Sequence, residues 1–559
     1  MVKRTGETDV VIVGGGPFGL ILSIELGRRC VEAILFDEKR STARNPQANA
    51  TQARTMEHYR RLGFAEEIRA VGLPEDYPTD IAYFTRFAKH ELARFKLPSA
   101  REARQRAGSE SWSGAELPHR VSQKFVEQVL HRKARALAGI SLRYGWRVVS
   151  FEERPDNVLV QAVNVETGER TELAARYLVG GDGARSLIRR SLGIRFEGET
   201  GVIRDFFGGR MLALYLRAPT FYDVVPHPPA WMNVTFNRDR RAFMCAVDGK
   251  GEFAFHTQLR DAEDEGAITD DDALAMFRAA VGAPIDAEIL SRDTWTAGHA
   301  LVAERFQQGR IFLGGDAVHL FTPAGGLGYN TAVEDAVNLG WKLAATIRGV
   351  GGPLLLPSYE IERRAVAVRN TGYARSFAES LGRFVPKDGI EDEGAQAENL
   401  RHEAGAYLAA HGRAEFNIPG ITFGARYDDS PIVVGDGSTP PPDVANTYVP
   451  TAKPGGRPPH LWLDATLSLY DLFGFEWTLL RLGDAPPDVS NFERAASKAG
   501  ANLKVVDIAR KDVRDLYGAS LALIRPDQTV AWRGVSEVHA ANIMAAVTGW
   551  HGEAQDFLH

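Results

Sequence analysis

Residues 9–38 confine this chain to a narrow set of folds. Val10-Val-Ile-Val13 is a short unbroken apolar run, as a strand buried on both faces of a parallel sheet requires. It leads into Gly14-Gly-Gly-Pro-Phe-Gly19, then an apolar helical stretch over residues 20–29, then a second buried run, Ala33-Ile-Leu-Phe36. Two such strands are most economically joined by a right-handed crossover through the helix. In Gly14-x-Gly16-x-x-Gly19 the first glycine makes the turn, the second lets the backbone approach a pyrophosphate, and the third allows close helix–strand packing. Pro17 opens the helix, whose positive dipole end faces the phosphates. An acid about twenty residues on bonds the ribose. Glu38 is expected to be that acid, with Asp37 the alternative. The unit predicts a bound dinucleotide.

Two further glycine motifs follow. Arg176-Tyr-Leu-Val-Gly-Gly-Asp182-Gly183 again reads as strand into turn, and so does Arg310-Ile-Phe-Leu-Gly-Gly315-Asp316-Ala-Val-His319. Asp316 ends its strand and is placed to hold a ribityl hydroxyl. The loop Pro323-Ala-Gly-Gly-Leu-Gly-Tyr-Asn330 then feeds a strong helix from about residue 331, so free N–H groups and the helix dipole point at the loop. Such a site suits a flavin ring, whose pyrimidine side gathers negative charge on reduction. His319, beside the turn, reads as a structural hydrogen-bonder.

Composition removes several alternatives. With 44% hydrophobic and 25% charged residues the chain is an ordinary folded protein, and a net charge of −6 gives no reason to bind nucleic acid or an anionic membrane. The two cysteines, Cys30 and Cys245, allow no CxxC pair, no cysteine zinc site and no disulfide scaffold. No metal site is expected. No apolar stretch reaches the roughly 18 residues of a membrane helix, and a cytoplasmic location is expected. Residues 118–138 read as a helix. Residues 201–255, rich in β-branched and aromatic types including Phe206, Tyr215, Phe221, Tyr222, Trp231 and Phe243, read as a sheet walling an apolar pocket. Residues 431–459 are a linker by composition, and 503–507 and 520–524 read as strands near the end.

Three glycine motifs in this order resemble the class A FAD-dependent aromatic hydroxylases. Further matches are Arg54-Thr-Met-Glu57 with Leu62-Gly63, Arg120 with Gln123, Asp335-Ala-Val-Asn-Leu-Gly-Trp-Lys-Leu343 and Tyr359-Glu-Ile-Glu-Arg-Arg364. Gly424-Ala-Arg-Tyr-Asp-Asp-Ser-Pro431 and Pro454-Gly-Gly-Arg-Pro-Pro-His460 are similar to the long members, the phenol, 2,4-dichlorophenol and polyketide hydroxylases. The resemblance implies a mixed α/β and α+β fold. A Rossmann-like FAD-binding domain of the p-hydroxybenzoate hydroxylase type would comprise residues 1–75, 118–200 and 290–365. A β-sheet substrate domain would comprise 76–117 and 201–289, with a helical segment and linker at 366–440 and a thioredoxin-like domain at 441–559. That tail has no cysteine, so a packing or assembly role is expected of it.

The resemblance also implies non-covalent FAD, NADPH or NADH as co-substrate, O2, and a phenolic substrate hydroxylated through a flavin C4a-hydroperoxide. A homo-oligomer, dimer or higher, is expected. Cofactor contacts are expected from Gly14, Gly16, Pro17, Gly19, Glu38, Lys39 and Arg44. Arg54, Arg120, Gln123, Asp182, Gly183, Gly315 and Asp316 extend that set, as do Pro323, Gly326, Leu327, Gly328 and Asn330. Pro323 and the glycine loop would cover the flavin's reactive edge, and basic residues near Arg185 and Arg189 would meet the nicotinamide cofactor. Where phenol hydroxylases carry an acid, this chain has Asn49, which cannot take a proton. Either Asn49 only orients the substrate, or a base comes from His227, Tyr215 or Tyr222. An oxidoreductase acting on a non-phenolic, polyketide-like substrate is the alternative. A flavin-dependent halogenase would carry WxWxIP, which is absent.

Overall fold

The computed structural model describes residues 3–105, 112–200, 208–237 and 239–550. Its base is an eight-stranded sheet in which Lys3–Val13 lies between Ala33–Asp37 and Arg170–Gly180, all parallel. Ile140–Tyr144 extends one side and Ile311–Leu313 the other, both parallel to their neighbours. Val10, Val11 and Ile12 are fully buried, so both faces of the strand are covered. The helix Pro17–Gly27 covers one face and is itself buried from Phe18 to Gly27. The longer helix Leu327–Ile347 packs on it, and Gly340 meets the Glu25 side chain where a Cβ would not fit.

The second layer is a seven-stranded, mostly antiparallel sheet built from residues 81–95 and 209–297. Alternation gives it two faces. Leu212, Leu214, Phe253 and Phe255 turn towards the helix Asp270–Val281, which buries Phe277 in the same core. That helix starts in a capping box, Thr269 with Asp272, and stops at Gly282 in the left-handed conformation. The cross-strand partners Phe243 and His256, with Cys245 and Ala254 next along, display the opposite face. Phe206 lies outside the described residues.

The helix Ser358–Arg383 runs through residue 365, where the dinucleotide-binding domain is expected to end. Its first half, with Tyr359 and Ala367, packs into the core of the parallel sheet; its second half, with Ala374, Phe377 and Leu381, packs into the core of the antiparallel one. One continuous apolar face therefore joins the two layers.

At the C-terminal end, Trp477–Leu482, Leu503–Ile508, Leu521–Ile524 and Val530–Gly534 form a four-stranded sheet. The first two strands are parallel, the rest antiparallel, and helices follow the first, second and fourth strands. This is the thioredoxin-type order expected of the tail. Residues 424–468 hold no helix or strand, yet Ile432, Val434, Tyr448 and Ala452 are buried. The proline- and glycine-rich stretch is thus packed mortar between layers, not a loose tether.

Candidate active site

The three glycine turns meet at the carboxyl ends of the parallel strands. Gly14 sits at φ +111°, and a Cβ there would strike the Gly181 carbonyl; a Cβ on Gly19 would strike the Gly14 carbonyl. The first contact brings two strand ends together, and the second seats the helix on its strand. Gly16 faces open space and is the N-cap of Pro17–Gly27, with no side chain capping that end. The helix N-terminus is therefore left free for an anion. Gly326, at φ +62°, likewise opens Leu327–Ile347 without a side-chain cap.

Acidic groups surround this cleft. Asp182 accepts hydrogen bonds at Oδ2 from the N–H groups of Leu187 (2.7 Å) and Ile188 (3.2 Å), while its buried Oδ1 has no partner among the described residues. Asp316 is exposed to the cleft, although the protein around it pushes its carboxyl above the usual range. Gly315 N–H donates to Asp335 (3.2 Å), which also pairs with His319 Nε2 (2.7 Å) and Arg363 Nε (2.7 Å). His319 is wholly buried and fixes the turn.

Several expected contacts lie elsewhere. The strand Ala33–Asp37 ends at Asp37, whose carboxylate accepts the Gly15 N–H (2.6 Å) and the Lys39 N–H (2.7 Å). Glu38 points outward to Arg147 (2.9 Å), and Lys39 and Arg44 are exposed. The acid facing the glycine turn is thus Asp37, because the chain leaves the sheet before Glu38. Arg54 donates to the carbonyls of Asp527 and Gln528 (both 2.9 Å) and pairs with Glu57 (3.0 Å), so it bolts the C-terminal domain in place instead of reaching the cleft. Asn330 accepts from Gln52 N–H and Thr55 Oγ1 and donates to the Ala50 and Gly326 carbonyls. Its hydrogen-bonding capacity is used in clamping the 50–52 segment to the glycine loop. Leu327 is buried beside it, while Pro323 and Gly328 remain accessible on the loop. Gln123 donates its side-chain amide to Glu127 (2.7 Å) and its N–H to Ala48 (2.7 Å).

The antiparallel sheet supplies the facing wall. Phe243 stacks on His256 with centroids 4.5 Å apart, and Trp295 Nε1 donates to His256 Nδ1 (3.3 Å). Burial holds His256 down to about 4, so it is neutral and serves as an aromatic surface. Neither His256 nor Trp295 is flagged by a motif; only strand alternation places His256 on this face. Asn49 stands on the 48–52 segment with a buried Oδ1 that has no partner among the described residues.

The proposed bases are mostly misplaced. His227 Nε2 bonds the Lys89 carbonyl (2.6 Å) and its ring packs on Phe84. Tyr222 donates to the Ala230 carbonyl (3.2 Å) and packs on Phe221 and Phe253, on the helix-facing side of the sheet. Tyr215 is bonded to Glu252 and to Lys124 Nζ (3.0 Å); burial and the Glu252 contact raise its pKa, so it stays protonated. Arg189 is likewise committed, donating to the Ala184 and Ala317 carbonyls and stacking on Phe196 at 3.9 Å. Arg185 is exposed.

Free helix ends, a glycine cradle and unfilled carboxylate oxygens fit a flavin dinucleotide. No group of His, Cys, Asp and Glu among the described residues could hold a metal ion, and no described helix is long and apolar enough to cross a membrane. Comparison with known proteins agrees. Residues 7–374 match the FAD binding domain family model, and residues 451–554 match that of the aromatic-ring hydroxylase C-terminal domain. The chain is 31% identical to the FAD-dependent monooxygenase apdD of Emericella nidulans, over 97% of this chain and 90% of that protein. It is 30% identical to the phenol 2-monooxygenase of Pseudomonas sp. (strain EST1001), over 95% and 90%. The solved structure of the rebeccamycin biosynthetic enzyme RebC with reduced flavin superposes with a TM-score of 0.87 at 33% identity, covering 98% of this chain and all of that one. The chain belongs to the FAD-dependent aromatic-ring hydroxylases, monooxygenases that use NAD(P)H as co-substrate.

Proposed function

We propose that the substrate is a phenolic ring held between the glycine loop at 325–328 and the wall of Phe243, His256 and Trp295, with Asn49 orienting its hydroxyl. The unpartnered Asn49 Oδ1 carries this reading. A buried acceptor with no donor is unfavourable by about 1–3 kcal/mol, and a substrate O–H would fill it. Bound FAD supplies electron transfer from NAD(P)H and the activation of O2. The chain's own part is to hold the ring at a fixed distance, keep water out with aromatic side chains, and accept the phenol hydrogen bond. Because the Asn49 amide cannot take a proton, a ring activated by a second oxygen substituent is the expected preference over phenol itself.

Two variants check the assignment. Asn49→Ala is expected to keep its FAD yet divert reducing equivalents to hydrogen peroxide, lowering coupling about tenfold for one lost hydrogen bond. Normal coupling would place the ring away from this segment. On the cofactor side, Asp37→Ala is expected to weaken FAD binding about tenfold or more through loss of charged hydrogen bonds to the ribose. Glu38→Ala should leave FAD titrations unchanged; the reverse result would return the ribose to Glu38.

The substrate class is tested by a panel of mono-oxygenated and di-oxygenated aromatic rings, scored by the stimulation of NAD(P)H oxidation. Dihydroxy and alkoxyphenol rings should stimulate most strongly. Efficient turnover of plain phenol at neutral pH would mean a base acts that is not Asn49. Stimulation by ring systems lacking any hydroxyl would favour a non-phenolic substrate.

A further inference from the structure

The glycine loop is held from outside the dinucleotide domain. Gly325, at φ +69°, is bonded on both sides: its carbonyl accepts from Gln52 Nε2 (3.3 Å), and its N–H donates to Glu415 Oε1 (2.9 Å). That N–H is therefore taken by the protein and is not offered to the flavin. Glu415 is buried in the last turn of the helix Ala395–Phe416. Its second oxygen lies 2.8 Å from His411 Nε2, one turn back, off the line of a hydrogen bond. His411 Nδ1 in turn lies 3.1 Å from Ser380 Oγ, so the ring behind the carboxyl group is itself held. Placing a carboxyl group in the interior is costly unless its oxygens are used. Here one of them is used on the loop.

The helix that carries Glu415 has little room to shift. Gly405 and Gly412, two turns apart on one face, let it lie directly on the antiparallel sheet. A Cβ on Gly405 would stand 2.2 Å from the Leu92 carbonyl oxygen, and one on Gly412 would stand 3.0 Å from the Tyr83 hydroxyl. Tyr83 pairs across the sheet with Val234, and Val234 with Phe243, so the helix rests on the face that carries the aromatic wall. Phe416, next to Glu415, meets the Trp231 ring edge-on at 6.3 Å. One rigid element thus touches both sides of the cleft, the sheet through its two glycines and Phe416, and the loop through Glu415.

Attack on a ring needs its partners at a fixed separation, and a misplacement of about 1 Å can cost about a hundredfold in rate. We propose that Glu415 is a positioning residue for hydroxylation: by holding the Gly325 N–H it fixes the glycine loop at one distance from the aromatic wall. The inference rests on the reading of this cleft as the site of ring hydroxylation. Reach, not charge, is what the role demands. A glutamine at this position keeps the length and an accepting carbonyl oxygen, and its amide can face His411. An aspartate keeps the charge but ends one methylene short of Gly325.

The test compares Glu415→Gln, Glu415→Asp and Glu415→Ala as FAD-loaded enzymes. Amide hydrogen exchange in peptides covering residues 320–330 reads the anchor without turnover. Exchange there should be about tenfold faster in the Asp and Ala variants, and within about threefold of the parent in the Gln variant. Turnover with resorcinol and 2-methoxyphenol then reads the role. The Asp and Ala variants should lower the ratio of hydroxylated product to hydrogen peroxide about tenfold, with ring affinity, read from the flavin spectrum, moving less than about threefold. The Gln variant should couple as the parent does. A merely structural role would lower the melting temperature without separating Gln from Asp. Parent-like coupling in the Asp variant with uncoupling in the Gln variant, unchanged loop exchange in the Asp and Ala variants, or faster exchange with coupling intact would each overturn the proposal. Should Glu415→Ala fail to load FAD, the contrast between Gln and Asp still decides. If neither ring is hydroxylated by the parent, the activated-phenol reading falls, and the exchange pattern alone decides whether Glu415 anchors the loop.

Discussion

Glu362→Ala should destabilise the protein by about 3–5 kcal/mol, the cost of stranding buried charges. Glu362 is buried and accepts from Arg525 at both oxygens (2.6 and 2.8 Å), from Lys342 (2.7 Å), from Asn338 (2.6 Å) and from Ser430 (2.6 Å). Arg525 would be left with Asp527 alone, and Lys342 with no carboxylate partner. The neighbouring Arg363 holds Asp335, and Asp335 holds the Gly315 turn, so damage at Glu362 should reach the flavin end of the molecule. Chemical denaturation of the FAD-loaded protein should show the loss as a lower midpoint, with FAD released before the chain fully unfolds. A midpoint within 1 kcal/mol or so of the parent's would mean the network is wetter or looser than its distances imply. A second carboxylate in the same interface gives a pH signature. Burial raises the Glu57 carboxyl, but Arg457 and then Arg54 outweigh it and hold it at about 2, below its ordinary 4.5. A folded pKa below the unfolded one adds stability that is complete above about 4.5 and is lost as the pH falls from there towards 2. Acid should therefore loosen the C-terminal domain within that window.

Gly14→Ala should be nearly as severe, about 3–5 kcal/mol, from a side chain at φ +111° and a clash with backbone. The obstacle is the Gly181 carbonyl, which cannot swing aside, because Gly181 N–H donates to Val13 (2.7 Å) and Gly14 N–H to Phe36 (2.8 Å). Relief can only come by parting the strand ends that form the cleft. The variant should purify colourless and melt early. Gly16→Ala meets open space at φ −78° and should fold normally, so any effect there reports on FAD alone. Full flavin content in Gly14→Ala would show that the strand ends separate without loss of the cofactor.

The parallel-sheet unit was legible in the sequence because burial on both faces, a glycine turn and a helix follow one another within thirty residues, so local pattern and tertiary role coincide. The strands near 503–508 and 521–524 were legible for the same reason. Partners that depend on distant chain were not. Arg54 belongs to a helix buried from Ala53 to Tyr59, and burial all round cannot tell a reader which neighbour lies on which side. Spacing from the glycine turn does not separate Glu38 from its neighbour Asp37, and the end of the strand at Asp37 decides which carboxylate faces the turn. The segment at 431–459 reads as linker from its prolines and glycines, while its few apolar residues, Ile432, Val434 and Tyr448, decide its fate by packing between domains. Arg120 matched a motif position, yet only the fold shows that Trp231, more than a hundred residues on, lies beneath it.

Turnover under isotopically heavy oxygen gas, with NADPH and the ring compound that most stimulates its oxidation, bears on the whole reading at once. One heavy oxygen atom should enter the ring for each NADPH consumed, the other leaving as water, and the yield should fall in Asn49→Ala while peroxide rises. Product oxygen drawn from water, or NADPH oxidation that is the same with and without the ring, would contradict a protected hydroxylation site between the glycine loop and the aromatic wall.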